Sequence, residues 1–283
     1  MQKKIGIVIV SYKRNLEDSE GYRTIKKLQT HFKEVFDNID ILIINNHKEY
    51  KHKNNNVGFS FKDLSYKNTL LDAYLFAINF FLMKGINWTL FLDHDTELSI
   101  SFLRKVLQII QNNKNLISTG LILPYLISNS KFISPCYELR GGIVRPRKLR
   151  SASYILKSVY AVGSGMVVNN EFFQSIINKN VYYKIDFLDR YICELVSKSP
   201  KNFLIVNEVL NHNLSVLNLE NEMNVNRYEQ IVHYEHFFMK HERSGLDFLV
   251  YKLRIIKRIL IFLLNRNLLQ YTPTLFKSLF RGW

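Results

Sequence analysis

Over roughly the first 125 residues, apolar runs about one strand long alternate with segments that carry apolar residues at three- and four-residue intervals. That alternation is the pattern of βαβ units, and it predicts an α/β fold with a mostly parallel sheet flanked by helices. It predicts strands over residues 4–11, 39–44, 88–92 and 116–123, and crossover helices within 21–36, 64–83 and 101–111. Ligands of open sheets of this kind bind beyond the carboxyl ends of the strands. Ser11-Tyr12-Lys13, Asn45-Asn46-His47 and Asp93-His94-Asp95 all fall there, so three strand ends converge on one cleft.

Asp93-His94-Asp95 closes the apolar run Trp88-Thr89-Leu90-Phe91-Leu92. Two carboxylates at i and i+2 in such a place can hold a divalent cation against a diphosphate. Carboxylate oxygen suits Mg²⁺ or Mn²⁺, which keep several waters and take substrate phosphates as further ligands. The spacing alone is common; its position at a strand end gives it meaning.

With 283 residues, 47% of them hydrophobic, the chain can bury a sizeable core, as one large domain over residues 1–245 with a tail over 246–283. Cys136 and Cys193 form no metal-binding or disulfide pattern, which points to a reducing cytoplasm. Met1-Gln2-Lys3-Lys4 leads at once into Ile5-Gly6-Ile7-Val8-Ile9-Val10, too short for a secretion signal and read as the first core strand. Net charge is +15, which favours polyanions or an anionic membrane surface.

Residues 124–150 change character. Pro124, Pro135, Gly141-Gly142 and Pro146 break the chain, and Arg140, Arg145, Arg147, Lys148 and Arg150 make it basic. A loop-rich or hairpin insert near the cleft, or a solvated basic loop, fits that composition. Strands resume over 159–162 and 166–168 on either side of Gly163-Ser164-Gly165, and Asn169-Asn170 offers an N-cap for a helix from about Glu171. Internal repeats and a GxGxxG motif are both missing from the sequence, so dinucleotide binding is not indicated.

A second carboxylate cluster, Asp186-Phe187-Leu188-Asp189, opens an amphipathic segment. Asp186 sits near the expected N-cap, where a capping role competes with a chemical one. Asp189, one turn on, is the better candidate for a general base accepting the proton of an attacking hydroxyl. His212 follows the apolar run Phe203-Leu204-Ile205-Val206 and could complete a metal site begun at Asp95, or be an ordinary surface polar residue.

Taken in order from about Ile5 to about Tyr234, the chain resembles family 2 glycosyltransferases of the GT-A fold, particularly bacterial rhamnosyltransferases and related polysaccharide enzymes. The resemblance rests on Ile7-Val8-Ile9-Val10-Ser11-Tyr12, Leu90-Phe91-Leu92-Asp93-His94-Asp95, Gly163-Ser164-Gly165 as the acceptor-side turn, Ile185-Asp186-Phe187-Leu188-Asp189, and His212 with Leu214-Ser215. It implies an inverting, metal-dependent transfer from a nucleoside-diphosphate sugar, dTDP-rhamnose or a UDP-sugar, to a glycan or lipid-linked acceptor in bacterial surface polysaccharide synthesis. Asp95 would contact Mn²⁺ or Mg²⁺ directly. Asp93 would take the ribose, or the metal through water, and His212 the metal or the diphosphate. Ser11, Tyr12 and Asn45 would serve the nucleotide; Asp189 would be the base, with Asp186 in the same catalytic segment. The sequence departs from the family at Asn45, where a carboxylate is usual, at Tyr191 in place of an acid, at Leu195 in place of an arginine, and over Asn54 to Gly58, which fit only in part before an apparent insertion across 59–68.

From Leu246 to Trp283 stand seven Lys or Arg (Lys252, Arg254, Lys257, Arg258, Arg266, Lys277, Arg281) against Asp247. A helical projection of 249–264 places Leu249, Leu253, Ile256, Leu260 and Leu263 on one face and Arg254, Lys257, Arg258 and Asn265 on the other. The longest uncharged run within that helix, 259–264, is too short to span a bilayer. Such a helix fits a peripheral place on an anionic membrane, at the inner face of the cell membrane, with Phe276, Leu279, Phe280 and Trp283 as further anchors. Packing of the same face on the catalytic domain, or on a second subunit as a homodimer, is the alternative.

Two other classes compete. A nucleotidyltransferase would carry a glycine-rich phosphate loop after the first strand, and Ser11-Tyr12-Lys13-Arg14-Asn15 has no glycine. A basic module for nucleic acid or anionic lipid draws on the charge and the sixteen Tyr, but no nucleic-acid-binding motif accompanies them and nucleic acid is not an expected partner.

Overall fold

The computed structural model describes residues 4–12, 15–48, 58–66, 69–112, 114–146, 154–155, 159–177, 181–183, 186–212 and 223–280. Lys13, Arg14, Asn54 to Val57, Lys67, Asn68, Arg147, Lys148, Arg150, Ile185, Leu214, Ser215, Arg281 and Trp283, all invoked above, lie outside the described residues. The chain divides into two compact units, Met1–Cys136 with Pro146–Asn213, and Tyr137–Arg145 with Leu214–Trp283.

The first unit begins with β1 (Ile5–Ser11), α1 (Glu20–His31), α2 (Lys33–Phe36), β2 (Ile39–Asn45), β3 (Phe59–Asp63), α3 (Leu70–Met83) and β4 (Trp88–Leu92). Every residue of β1 and β4 is buried, as expected of strands covered on both faces. A Cβ at Gly6 would lie 2.5 Å from the Phe81 ring, so α3 can pack on β1 only because that position is glycine. Next come β5 (Thr96–Glu97), α4 (Ile100–Asn112), β6 (Thr119–Ser128) and β7 (Lys131–Ser134). Phe102, Leu103, Val106, Leu107 and Ile110 form the buried stripe of α4.

After β7 the chain passes through β8 (Cys136–Leu139) and β9 (Ile143–Pro146), and continues with β10 (Tyr154–Ile155), β11 (Val159–Tyr160), β12 (Val167–Asn169), α5 (Asn170–Ile176), α6 (Leu188–Lys198) and β13 (Asn202–His212). Among the described residues the main sheet has ten strands in the order β10-β13-β6-β12-β4-β1-β2-β3, with β5 on β13 and β7 on β6. The pairs β1–β2, β1–β4, β2–β3 and β6–β13 are parallel. In contrast, β12 runs antiparallel to both β4 and β6.

The α/β sheet expected from the sequence is therefore present, with local differences. The segment 59–68, read as an insertion, contributes the edge strand β3, and the next helix starts at Leu70 rather than near residue 64, with Thr69 Oγ1 accepting from Asp72 N at 3.1 Å as its cap. The helix expected over 21–36 breaks at Phe32, whose φ of −133° is not helical. The strand expected over 116–123 begins at Thr119 and runs on to Ser128, turning into the antiparallel β7, so the hairpin reading of this region holds there. At α6 the N-cap is Phe187, with φ of 66° and no side-chain cap; Asp186 stands one residue before it.

The second unit contains α7 (Val225–His241), α8 (Gly245–Leu264) and α9 (Thr272–Phe280), preceded by a 3₁₀ turn over Arg266–Tyr271. Tyr251, Ile255, Ile259 and Phe262 are the buried face of α8. Ser278 of α9 sits at its centre, bonded to the Tyr251 hydroxyl at 3.0 Å and to His236 Nδ1 at 3.2 Å. Arg254 and Arg258, placed on the outer polar face by projection, turn inward and share the carboxylate of Glu235 in α7, with Arg258 Nη1 at 3.0 Å from Oε2. The leucines of the projected stripe point outward instead. α8 is apolar around most of its circumference, so two stripes compete for the interior, and the one with Tyr251 and Phe262 takes it. No described helix is long and apolar enough to cross a membrane.

Glu235 is 9% exposed at its side chain, against 20% and 28% for its two arginines, so removing it strands two partly desolvated cations. Glu235→Leu is expected to cost about 2–3 kcal/mol, seen as a lower urea midpoint at constant m-value in the full chain.

Candidate functional site

The site is built at the carboxyl ends of β4, β1 and β2. The register Ile9↔Leu92 and Ser11↔Asn45 brings Ser11, Asn45 and Asp93 to the same end of the sheet. Ser11 and Asn45 are buried, and the Ser11 carbonyl accepts from Asn46 N at 2.9 Å. Asn45 Oδ1 accepts from His47 N at 3.3 Å, which shapes the turn and sets the His47 ring against Tyr12 in a T-shaped pair with centroids 5.2 Å apart.

Beyond β4 the Asp93-His94-Asp95 loop is anchored by the start of α1. The His94 carbonyl accepts from Glu20 N at 2.6 Å, Gly21 N at 3.3 Å and Ser19 Oγ at 3.3 Å, satisfying N–H groups that a helix start leaves without partners. The approach is close: a Cβ at Gly21 would lie 2.6 Å from the Asp93 carbonyl oxygen.

On the opposite side stands the turn Gly163-Ser164-Gly165, which enters β12 from the ends of β4 and β6. Gly165 N donates to the Phe91 carbonyl at 2.8 Å, and Gly165 takes φ of 79°, open to glycine. Ser164 Oγ accepts from Asp93 N at 3.0 Å, and Gly163 N donates to Asp189 Oδ2 at 3.2 Å. One turn therefore holds both carboxylate segments. Asp189 Oδ1 accepts from Arg190 N at 2.7 Å, so each of its oxygens has a backbone donor.

Ser164 also begins a buried hydroxyl chain. Its Oγ lies 2.5 Å from Thr96 Oγ1, which lies 2.8 Å from His212 Nδ1, and that nitrogen is 3.3 Å from Asp95 Oδ1. The pairing His212↔Thr96 between β13 and β5 puts these side chains together, so His212 is a buried member of the site and not a surface residue. Burial lowers the His212 pKa against the opposing pull of Asp95, which keeps the imidazole neutral. With its proton on Nδ1 donated to Thr96 Oγ1 the ring is fixed, leaving the Nε2 lone pair for a ligand.

Charge in the site is one-sided. Burial, then Asp95 and then Asp189, push Asp93 from its ordinary value of 3.8 up to about 7. Burial raises Asp189 to about 6, against the two backbone N–H groups that favour its ionised form and with Asp186 adding to the rise. Tyr74, stacked on Phe91 with centroids 3.7 Å apart, is raised by burial and by both Asp93 and Asp189, so its phenol keeps its proton. Tyr160 likewise feels Asp189, and Arg190, buried with its guanidinium 5.8 Å from the Tyr160 ring, is the cation nearby.

A divalent cation fits this donor set. Asp95 Oδ1 is buried without a hydrogen bond, burial followed by the charges of Asp95 and Asp189 keeps the proton on Asp93 up to about 7, and hard carboxylate oxygens are what Mg²⁺ and Mn²⁺ prefer. Among the described residues no three His, Cys, Asp or Glu side chains are grouped to hold a metal unaided.

The structure thus brings together Asp93, Asp95, Asp189 and His212, and places Ser11, Tyr12 and Asn45 at the neighbouring strand ends; Asp186 acts on Asp189 through its charge. Sequence reasoning missed Tyr74, Thr96 and Arg190, and named Ser164 only as part of a turn. Tyr74 lies in an apolar helical stripe and reads as core, while lone hydroxyls carry no periodicity. No protein-family model matches the chain, and no curated protein matches it. Among solved structures, S. aureus TarS 1–349 shares 9% identity at a TM-score of 0.53 over 98% of this chain and 81% of that one. A longer S. aureus TarS structure gives 0.47 with 9% identity over 88% and 41%, and A197 from STIV gives 0.39 with 13% identity over 72% and 82%. The first of these shows a shared fold: a mixed α/β sheet of the GT-A type flanked by helices.

Because Asp93 keeps its proton to about 7 when folded but only to about 3.8 otherwise, ionising it drains stability as pH rises through that window. Metal-free Asp93→Asn is therefore expected to melt several degrees above the unsubstituted protein at about pH 8, with the gain vanishing near pH 4, as followed by thermal circular dichroism.

Proposed function

We propose that this chain is an inverting glycosyltransferase resembling family 2, taking a sugar from a nucleoside diphosphate to a hydroxyl of a glycan or lipid-linked acceptor. The observation that carries the reading is the Gly163-Ser164-Gly165 turn, which bonds the Asp93 backbone through Ser164 and the Asp189 carboxylate through Gly163. That shared anchor supports reading Asp93 with Asp95 as the cation-binding pair and Asp189 as the base.

In this reading Ser11, Tyr12 and Asn45 line the nucleoside side, with the Tyr12 and His47 rings beside it. Asp95, Asp93 and His212 would hold Mn²⁺ or Mg²⁺, which supplies Lewis-acid stabilisation of charge on the diphosphate. Asp189 accepts the proton of the acceptor hydroxyl as its oxygen bonds to the anomeric carbon. The bond from that carbon to the diphosphate oxygen breaks with its electron pair leaving on the nucleoside diphosphate, and configuration inverts because entry and departure are on opposite faces. Tyr74, neutral and facing the same charges, is placed to donate to a developing oxyanion. The donor in this reading is dTDP-rhamnose or a UDP-sugar, and the setting is bacterial surface polysaccharide synthesis.

Calorimetric titration with UDP and dTDP, with and without Mn²⁺, is expected to show metal-dependent binding of one nucleotide that disappears in Asp95→Asn. Absence of binding to either would overturn the assignment. Asp189→Asn is expected to keep nucleotide binding and lose turnover by about 10²–10⁴-fold. A base raised to about 6 must be ionised to work, so kcat/KM of the unsubstituted enzyme should fall about tenfold per pH unit below that value.

A further inference from the structure

α8 carries an outward stripe that the interior of its unit does not use. Leu246, Leu249, Leu253, Ile256, Leu260 and Leu263 repeat at alternating three- and four-residue steps, and each is between 41% and 59% exposed. A continuous apolar row of six on one helix is larger than the scattered exposure ordinary surfaces show. Lys252 and Lys257 border it on its two sides, and no acid stands on either flank; Asp247 is on the far side, where its Oδ1 accepts from Gly141 N at 3.4 Å. Lys252 Nζ also donates to the carbonyls of Ser278 and Leu279 at 2.5 and 2.8 Å, which ties the end of α9, with the exposed Phe276 and Phe280, to the same helix.

The stripe has the spacing of a coiled-coil seam, so a second copy is one conceivable occupant. Charge decides against it. In a parallel pair Lys252 of one helix faces Lys257 of the other, and in an antiparallel pair each flank faces its own kind, so either arrangement opposes lysines without an intervening acid. An anionic surface meets the charge of both lysines with its opposite: the exposed Lys257 borders the apolar stripe where it can reach headgroups while the leucines enter the acyl boundary, and Lys252 adds its charge from where it is tied to the end of α9.

We propose that the outward face of α8 docks on an anionic lipid bilayer, lying in the interface without crossing it. The inference does not depend on the proposed activity, since every residue in it belongs to the second unit. The test is co-sedimentation of the full chain with phosphatidylcholine vesicles and with phosphatidylcholine–phosphatidylglycerol vesicles, alongside light scattering of the free protein across a concentration series. Expected is binding to the anionic vesicles that weakens with salt, little binding to the neutral ones, and a reduction of at least about tenfold in Leu253→Gln/Leu260→Gln. Both side chains are exposed, so the variant should keep its circular dichroism and its nucleotide binding; a milder Lys257→Gln variant, expected to reduce binding about fivefold, covers the case in which it does not fold. Absence of binding to anionic vesicles, or a concentration-dependent dimer that the double substitution dissolves, would overturn the proposal.

Discussion

β12 runs against β4 and β6, and so its first residues lie where theirs last. A turn entering a strand from that side stands over the carboxyl ends of the parallel strands, where a sheet of this kind presents its ligand-binding loops. Gly163, Ser164 and Gly165 are that turn, and each spends its backbone or hydroxyl on a different neighbour: Asp189, Asp93 and Phe91. Much of the site geometry follows from this reversal. Had β12 been parallel, its leading turn would have been at the opposite edge of the sheet and the carboxylates would have had no common anchor.

The electrostatic consequence is a cluster that is not self-sufficient. Three carboxylates gather with Arg190 as the neighbouring cation, and burial among them raises Asp93 to about 7 and Asp189 to about 6. Structural ion pairs resolve such tension internally, as Glu235 does with Arg254 and Arg258. The cleft does not, and perturbed carboxylates in such a place make it the candidate functional site. The hydroxyl chain from Ser164 through Thr96 to His212 gives the cluster a rigid back wall without neutralising it.

The parts legible in the sequence are those with a strong local signal. The strand over 88–92 was readable because five apolar residues stop abruptly at a carboxylate, and α4 because its apolar positions keep helical spacing. β3 was not, since Phe59-Ser60-Phe61-Lys62-Asp63 is a half-exposed edge strand whose pattern resembles a polar loop. Thr96 and Ser164 escaped because their partners are 116 and 71 residues away in sequence, and only the sheet pairing brings them together. α8 shows the opposite difficulty: its periodicity was read correctly, but a helix apolar on two sides does not say which side faces in.

The charge that Asp189 exerts on Asp93 has a reciprocal. Whatever neutralises Asp93 must lower the proton affinity of Asp189 by an equal free energy, because the same Coulomb term is read from both ends. An empty cleft thus keeps its acids partly dressed in protons, and filling the Asp93 side undresses the Asp189 side. The protons of Asp93 and Asp189 are coupled across the cleft, so a cation held at the first would favour the ionised form of the second.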